Sequence, residues 1–308
     1  MSEEILINVT PVETRVALVE NGMLQEVFVE RSSRLGIVGN IYKGQVVRVL
    51  PGMEAAFVEV GLARAAFIHV SDISFNLDTL NSHEEQVDIA HLLREGQEIT
   101  VQVIKDPIGS KGARLTTQLS IASRYLVYMP DVSHIGISQR IEEEAERERL
   151  KALVLSCQDQ KEEENSGAGF IVRTAADGAG EDEFSADIKF LERLWYKLKQ
   201  RISDAKAPTL IYQDLPLFTR AIRDLVRPET EKIKIDSKES YLIVKEFSEN
   251  FLIDVSDRLE YYPGERPIFD LYNIDDEIQK ALGRKVQLKS GGYLIIDQTE
   301  AMTTIDVN

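Results

Sequence analysis

Short β-branched and alternating runs dominate the first third of the chain. Ile5-Leu6-Ile7-Asn8-Val9 is one such run. Val16-Ala17-Leu18-Val19 and Leu24-Gln25-Glu26-Val27-Phe28-Val29 flank Asn21-Gly22, a dipeptide suited to a mirror-image hairpin turn. Residues 42–50, 55–60, 65–70, 97–105 and 114–119 repeat the strand pattern, with Pro51-Gly52 and Gly61 at corners. Residues 75–95 form a polar excursion, expected to be a loop with a short helix. The period then changes. Residues 141–154 read as a charged amphipathic helix with Ile141, Ala145, Leu150, Leu153 and Val154 near one face, and 187–202 as a helix carrying Phe190, Leu191, Leu194, Trp195 and Leu198. A short strand, 170–174, lies between them. Strands and helices alternate from 208 to 262: strands at 210–212 and 232–235, helices near 218–225 and 237–247. The tail from Lys285 reads as strand, Gly291-Gly292 turn, strand 293–297 and a last strand ending at Asp306.

Five strands with glycine corners over 36–118 have the count and rhythm of an OB-type barrel. The three opening strands occur in many ribonuclease-H-like and actin-like folds. The expected class is therefore α+β and multidomain. The 308 residues suffice for two or three domains with their own cores.

Composition restricts the function. Hydrophobic residues are 43% and charged residues 29%, as in ordinary globular proteins. No run reaches the roughly 18 apolar residues of a membrane helix, and the acidic start, Ser2-Glu3-Glu4, is unlike a signal peptide. A cytoplasmic location is expected. The lone Cys157 excludes a disulfide framework and a multi-cysteine zinc site within these residues. A net charge of −16 argues against a nucleic-acid binder, but the distribution reverses that for one segment. Residues 31–64 hold five basic side chains (Arg31, Arg34, Lys43, Arg48, Arg64) against Glu54 and Glu59, whereas 141–165 holds nine acidic and four basic.

Phe57 and Phe67 flank a glycine corner and so fall on adjacent strands. A phenylalanine in a strand is more often core. Exposed on an OB face, such a pair stacks unpaired bases at roughly 1–3 kcal/mol per base, and Lys43, Arg48, Lys105 and Lys111 would follow the phosphates. Gly44-x-Val46, Gly52-Met-Glu-Ala-Ala-Phe57-Val58, Phe67-Ile-His69-Val-Ser71-Asp72-Ile73 and Gly96-Gln-x-Ile-x-Val-x-Val together resemble the S1-type RNA-binding domain.

The resemblance extends over the whole chain. Arg34-Leu-Gly36-Ile-Val-Gly39-Asn40-Ile41-Tyr42-Lys43-Gly44, Gly169-Phe-Ile-Val-Arg173-Thr174-Ala175 and the tail from Gly291 to Asn308 are similar to the ribonuclease E/G family, and Ile137-Ser138-Gln139-Arg140 and 290–308 are most similar to its ribonuclease G branch. The resemblance implies four parts: a ribonuclease-H-like domain (1–35 with 212–280), an S1-type OB-fold domain (36–118), a 5′-sensor domain (119–211) and the start of a DNase-I-like catalytic domain (281–308). It implies a magnesium-dependent endoribonuclease specific for single strands, with a 5′-monophosphate preference, in rRNA maturation and mRNA decay.

An arginine fork beside a hydroxyl suits a terminal phosphate, with its charge of about −1.5 to −2, although an Arg-Thr pair is more often structural. The resemblance assigns Arg173 and Thr174 to that role, with Val127, Ser123, Gln139 and Arg140 as partners. The ribonuclease E branch has arginine where this chain has Gln139, so that contact is expected to be weaker or taken over by Arg140. By the same resemblance Asp306 is one ligand of a catalytic Mg2+ and Asn308 holds it by hydrogen bonding, with Asp297 and Glu300 nearby in sequence. An aspartate ending a strand has little specificity alone. The family's second metal-binding aspartate, and the cysteine pair of the zinc site that links its dimers, are expected beyond Asn308. These residues are then an N-terminal part, inactive alone, of a protein that dimerises. Two other readings stay open: an RNA-binding module without catalysis, and a translation-associated S1-type protein, against which the tail speaks.

Overall fold

The computed structural model describes residues 2–308 apart from 75–87, 110, 160–167, 228, 252 and 289. Its compact units are Met1–Arg34 with Leu217–Asn308, and Leu35–Pro216.

In the first unit, β1 (Glu3–Val9), β2 (Glu13–Glu20) and β3 (Met23–Arg31) are antiparallel neighbours. Asn21 and Gly22 turn the hairpin with φ of 49° and 77°, the mirror-image geometry their sequence predicts. The second unit's barrel strands are β4 (Ile41–Leu50), β5 (Ala55–Glu59), β6 (Ala66–His69), β7 (Glu98–Lys105) and β8 (Arg114–Thr116), with helix α1 (Ile89–Leu92) inside the predicted polar excursion. Most of that excursion, 75–87, lies outside the described residues. β4 pairs with both β5 and β7, so the ring β4-β5-β6-β8-β7 closes on itself. The interior takes Tyr42, Val46, Ala56, Val58, Ala66, Ile68, Val101, Val103 and Leu115.

The remainder of this unit is a four-stranded sheet of β9 (Ile121–Ala122), β10 (Leu126–Met129), β11 (Ile135–Ile137) and β12 (Gly169–Val172), packed by α2 (Glu144–Asp159) and α3 (Glu181–Asp204). Tyr128, Phe170, Phe184, Leu191 and Leu198 fill their common core. The predicted helix 141–154 is displaced. Ile141 is buried before the helix begins, because the Arg147 guanidinium donates to the carbonyls of Ser138 and Ile141 and folds that entry back. Ala145 is exposed, and the inner face is Leu150, Val154 and Cys157. β13 (Thr209–Tyr212) returns to pair with β4.

The first unit is completed by α4 (Leu217–Leu225), β14 (Thr230–Ile235), α5 (Lys238–Phe251), α6 (Ile253–Ser256), β15 (Leu259–Tyr261), α7 (Ile268–Leu271) and α8 (Ile274–Ala281). Its sheet has the order β15-β14-β1-β2-β3, with β1, β14 and β15 parallel. Ile5 and Ile7 face α4 and α5, while Leu6 faces Ile268, Phe269 and Ile274 of α7 and α8. Burial on both faces explains the unbroken apolar run in β1. A separate antiparallel sheet, β16 (Lys285–Gln287), β17 (Tyr293–Gln298) and β18 (Thr303–Val307), forms the tail. No helix among the described residues is long and apolar enough to cross a membrane.

Gly112 precedes β8 where that strand meets the start of β6, and a Cβ there would collide with the Ala65 carbonyl oxygen, which is fixed backbone. Gly112→Ala is expected to destabilise this unit by about 1–3 kcal/mol, measured by urea unfolding.

Candidate nucleic-acid interface

Strand alternation sorts the barrel's side chains. Ala56, Val58, Ala66 and Ile68 are fully buried inside, so Phe57 and Phe67 point outward and are half-buried. They are direct cross-strand partners, ring centroids 6.1 Å apart and planes at 65°. The register extends the pair into a row across the barrel. Arg48 is the partner of Phe57 on one side; Arg114 is the partner of Phe67 on the other, and Lys105 is the partner of Arg114. Two half-buried aromatic rings therefore lie between cations. The Arg114 fork is held by both Asp72 oxygens, at 2.8 and 3.2 Å. Asp72 itself is fixed by the Thr116 hydroxyl, which donates to its carbonyl at 2.7 Å. Sequence reading omitted Arg114 from the interface. The strand pattern that placed Phe67 also contained it, but its parallel pairing with β6 is a long-range property.

Lys105 and Lys111 are exposed, Lys111 at the turn whose backbone N–H donates to the Ile108 carbonyl. Lys43 is elsewhere. Its ammonium donates to the carbonyls of Ile202 (3.0 Å) and Ala205 (2.7 Å) and lies 3.4 Å from Glu98. It caps the C-terminus of α3, where a cation complements unpaired carbonyls and the helix dipole, and does not join the aromatic row. Nothing local in Tyr-Lys-Gly distinguishes this lysine from one that meets phosphate.

A second cluster lies at one end of the four-stranded sheet. β11 and β12 are parallel, so Gln139-Arg140 and Arg173-Thr174 leave the sheet at the same edge. Gln139, Arg140 and Thr174 are exposed. Val127 and Ile171 are cross-strand partners on the outer face, opposite the buried Leu126, Tyr128, Phe170 and Val172. Five of the predicted 5′-phosphate residues are thus brought to one surface. Ser123 is not among them. It is buried, and its hydroxyl is 2.5 Å from Asp187 Oδ2 of α3 and 3.0 Å from the Leu126 carbonyl. Burial pushes the Asp187 carboxyl above the ordinary aspartate range; the Ser123 hydroxyl, the N–H groups of Tyr125 and Leu126 and the nearby Arg173 charge oppose that shift. Nearby, the Arg149 fork and the Gly178 N–H hold Glu146 down to about 2, so this pair stays ionised.

The tail presents Asp306 on an exposed strand, directly opposite Ile295 of β17, which is in turn opposite Lys285 of β16. Asn308 Nδ2 donates to Asp306 Oδ2 at 3.0 Å. Asp297 is committed to Arg284, both oxygens engaged at 2.6 and 3.0 Å, which holds its pKa below the ordinary value. Glu300 is exposed at the β17–β18 turn. Among the described residues no group of three His, Cys, Asp or Glu side chains could hold a metal ion. An Mg2+ ion takes one or two carboxylates with water and substrate oxygens. Asp306 fits as one such ligand, and these residues do not complete the shell.

Comparison with known proteins gives the family of the chain and of its barrel. The ribonuclease E/G family model matches residues 120–308 and the S1 RNA binding domain model matches residues 37–106. Ribonuclease G of Escherichia coli is 51% identical over 312 residues, covering 100% of this chain and 63% of that protein. Ribonuclease G of Haemophilus influenzae is 53% identical over 309 residues, covering 99% of the chain and 62% of that protein. Ribonuclease E of Escherichia coli is 38% identical over 314 residues, 99% of the chain and 29% of that protein. The chain therefore spans about 63% of the length of the ribonuclease G relative from Escherichia coli. A match of this extent and identity shows that the chain belongs to the ribonuclease E/G family and that its barrel is an S1 RNA-binding domain.

Proposed function

We propose that the protein is an endoribonuclease that grips single-stranded RNA on the Phe57–Phe67 face, prefers a 5′-monophosphate end and acts in rRNA maturation and mRNA decay. The observation that carries the reading is the cross-strand row Arg48, Phe57, Phe67, Arg114, Lys105. Two adjacent π-faces flanked by cations suit the bases and phosphates of an unpaired strand, because bases stacked within a duplex do not present their faces to the rings. The family membership supplies the nuclease activity, and ribonuclease G and ribonuclease E are the names of its relatives.

In this reading 119–211 is the 5′ sensor. Arg173, Thr174, Val127, Gln139 and Arg140 share one surface, and the guanidinium and hydroxyl would hold the terminal phosphate. The sheet order β3-β2-β1-β14-β15, antiparallel then parallel with helices on both faces, supports the ribonuclease-H-like assignment. The last three strands are read as the start of the DNase-I-like part. Asp306 would give one carboxylate to Mg2+, and Asn308 would keep that carboxylate oriented. A bound Mg2+ supplies an activated water and neutralises charge at the scissile phosphodiester. The zinc-linked dimer of the family is part of the same proposal for the whole protein.

A specific observation favours a second reading for residues 1–308 by themselves. Asp306 is one exposed carboxylate, and Asp297 is locked by Arg284, so these residues alone bind RNA without cutting it. Metal-dependent turnover by purified 1–308 overturns that reading.

Binding to a fluorescent single strand tests the interface. Phe57→Ala is expected to weaken binding by about 1–3 kcal/mol. Arg48→Ala is expected to flatten the slope of log K against log salt by about 0.7. Lys43→Ala leaves that slope unchanged and lowers thermal stability instead; a flattened slope for Lys43→Ala contradicts its assignment as a helix cap.

Cleavage tests the rest. The whole protein is expected to cut a 5′-monophosphorylated strand faster than its triphosphorylated counterpart, and Asp306→Asn to abolish cutting while RNA binding persists. Equal rates on both ends overturn the sensor assignment, and retained cleavage in Asp306→Asn overturns the catalytic one.

A further inference from the structure

A buried carboxylate behind the second cluster has no part in the proposed reaction as described so far. Asp187 projects from α3 and is 8% exposed. One of its oxygens, Oδ2, accepts from the Ser123 hydroxyl (2.5 Å), the Tyr125 N–H (2.8 Å) and the Leu126 N–H (3.1 Å). All of these donors belong to the turn between β9 and β10. The carbonyls of the same turn hold Arg173. Its guanidinium Nη1 donates to the carbonyls of Ser123 (2.5 Å) and Arg124 (3.3 Å), and its backbone N–H donates to the Tyr125 carbonyl (2.8 Å). The turn is clamped through its donors by the carboxylate and through its carbonyls by the arginine. The peptide groups of residues 123–126 link them in a few bonds.

Packing stiffens the arrangement. The Tyr125 ring is stacked on Phe184, one turn before Asp187 on α3, with centroids 6.3 Å apart and planes at 12°. The Arg124 guanidinium lies over the Tyr125 ring, 5.4 Å from its centroid. A displacement of the turn would therefore move the carbonyls that aim the Arg173 fork. Loss of the acceptor would leave the buried Leu126 N–H and the part-buried Tyr125 N–H without it, an arrangement the chain avoids by moving.

We propose that Asp187 is a positioning residue for 5′-end recognition: by holding the 123–126 turn it fixes the Arg173 fork in the orientation that meets a terminal phosphate. The assignment rests on the reading of Arg173 as the phosphate contact. It also gives Ser123 a role, as a donor to Asp187 rather than to RNA.

The test is binding of two short single strands to residues 1–308, identical except for a 5′-phosphate or a 5′-hydroxyl. The wild type is expected to prefer the phosphate. In Asp187→Ala that preference falls about tenfold, equivalent to ~1.4 kcal/mol, while affinity for the hydroxyl-ended strand is unchanged. Asp187→Asn keeps an oxygen for the turn and retains the preference. Should Asp187→Ala not fold, Ser123→Ala decides: it removes one donor of the set and lowers the preference about threefold. Full preference in Asp187→Ala, or in Ser123→Ala where that variant decides, overturns the proposal and leaves the Arg173 reading intact. So does an equal loss in Asp187→Asn and Asp187→Ala, because an acceptor is then not what matters. A wild type without any preference overturns both.

Discussion

Pairing of β4 with both β5 and β7 closes the barrel, and closure leaves no interior room for two phenylalanine rings. A Cβ on Gly44 would already stand 2.7 Å from Val58 Cγ1 and 2.9 Å from the Glu59 carbonyl oxygen. Inward positions on β5 and β6 are accordingly Ala56, Val58, Ala66 and Ile68, all fully buried. Alternation then forces Phe57 and Phe67 outward, and direct registration sets them side by side. The aromatic platform is thus a consequence of how tightly the core packs. The cations that flank it follow from the same register, since each neighbouring strand contributes one residue to the row.

A row of this kind also resolves the conflict between RNA binding and a net charge of −16. Strands are spaced about 4.8 Å apart, and the Debye length at physiological salt is about 8 Å. Arg48 and Arg114 each lie one strand from an aromatic ring, and in the proposed reading they meet a bound phosphate at short range. Acidic side chains well beyond a Debye length, when exposed, are screened. Cations are assigned by contact: Arg114 is aimed by Asp72, Lys43 closes α3, and Arg173 is held by the carbonyls of the turn that Asp187 clamps.

Much of this was legible in the sequence. Period-two runs and glycine corners located the five barrel strands, and Asn21-Gly22 located the hairpin, because these signals are local. The tail strands were equally clear, with Gly291 at φ 92° where the turn demands it. What the sequence hid was long-range. Ile141 belongs to the entry of α2 because Arg147 folds the chain back; Lys43 meets the end of α3, more than a hundred and fifty residues away; Ser123 faces inward because Asp187 is there to accept its hydrogen bond. Phe57 and Phe67 could be placed on neighbouring strands from the sequence, but their outward direction required the closed ring.

Crosslinking of a thiouridine-substituted, 5′-monophosphorylated single strand to residues 1–308, with the attached peptides identified by mass spectrometry, tests the account most directly. Crosslinks are expected on the segments containing Phe57 and Phe67, and, for thiouridine at the first nucleotide, on the segment containing Arg173 and Thr174. Crosslinks that avoid β5 and β6 and fall on α2 would contradict it.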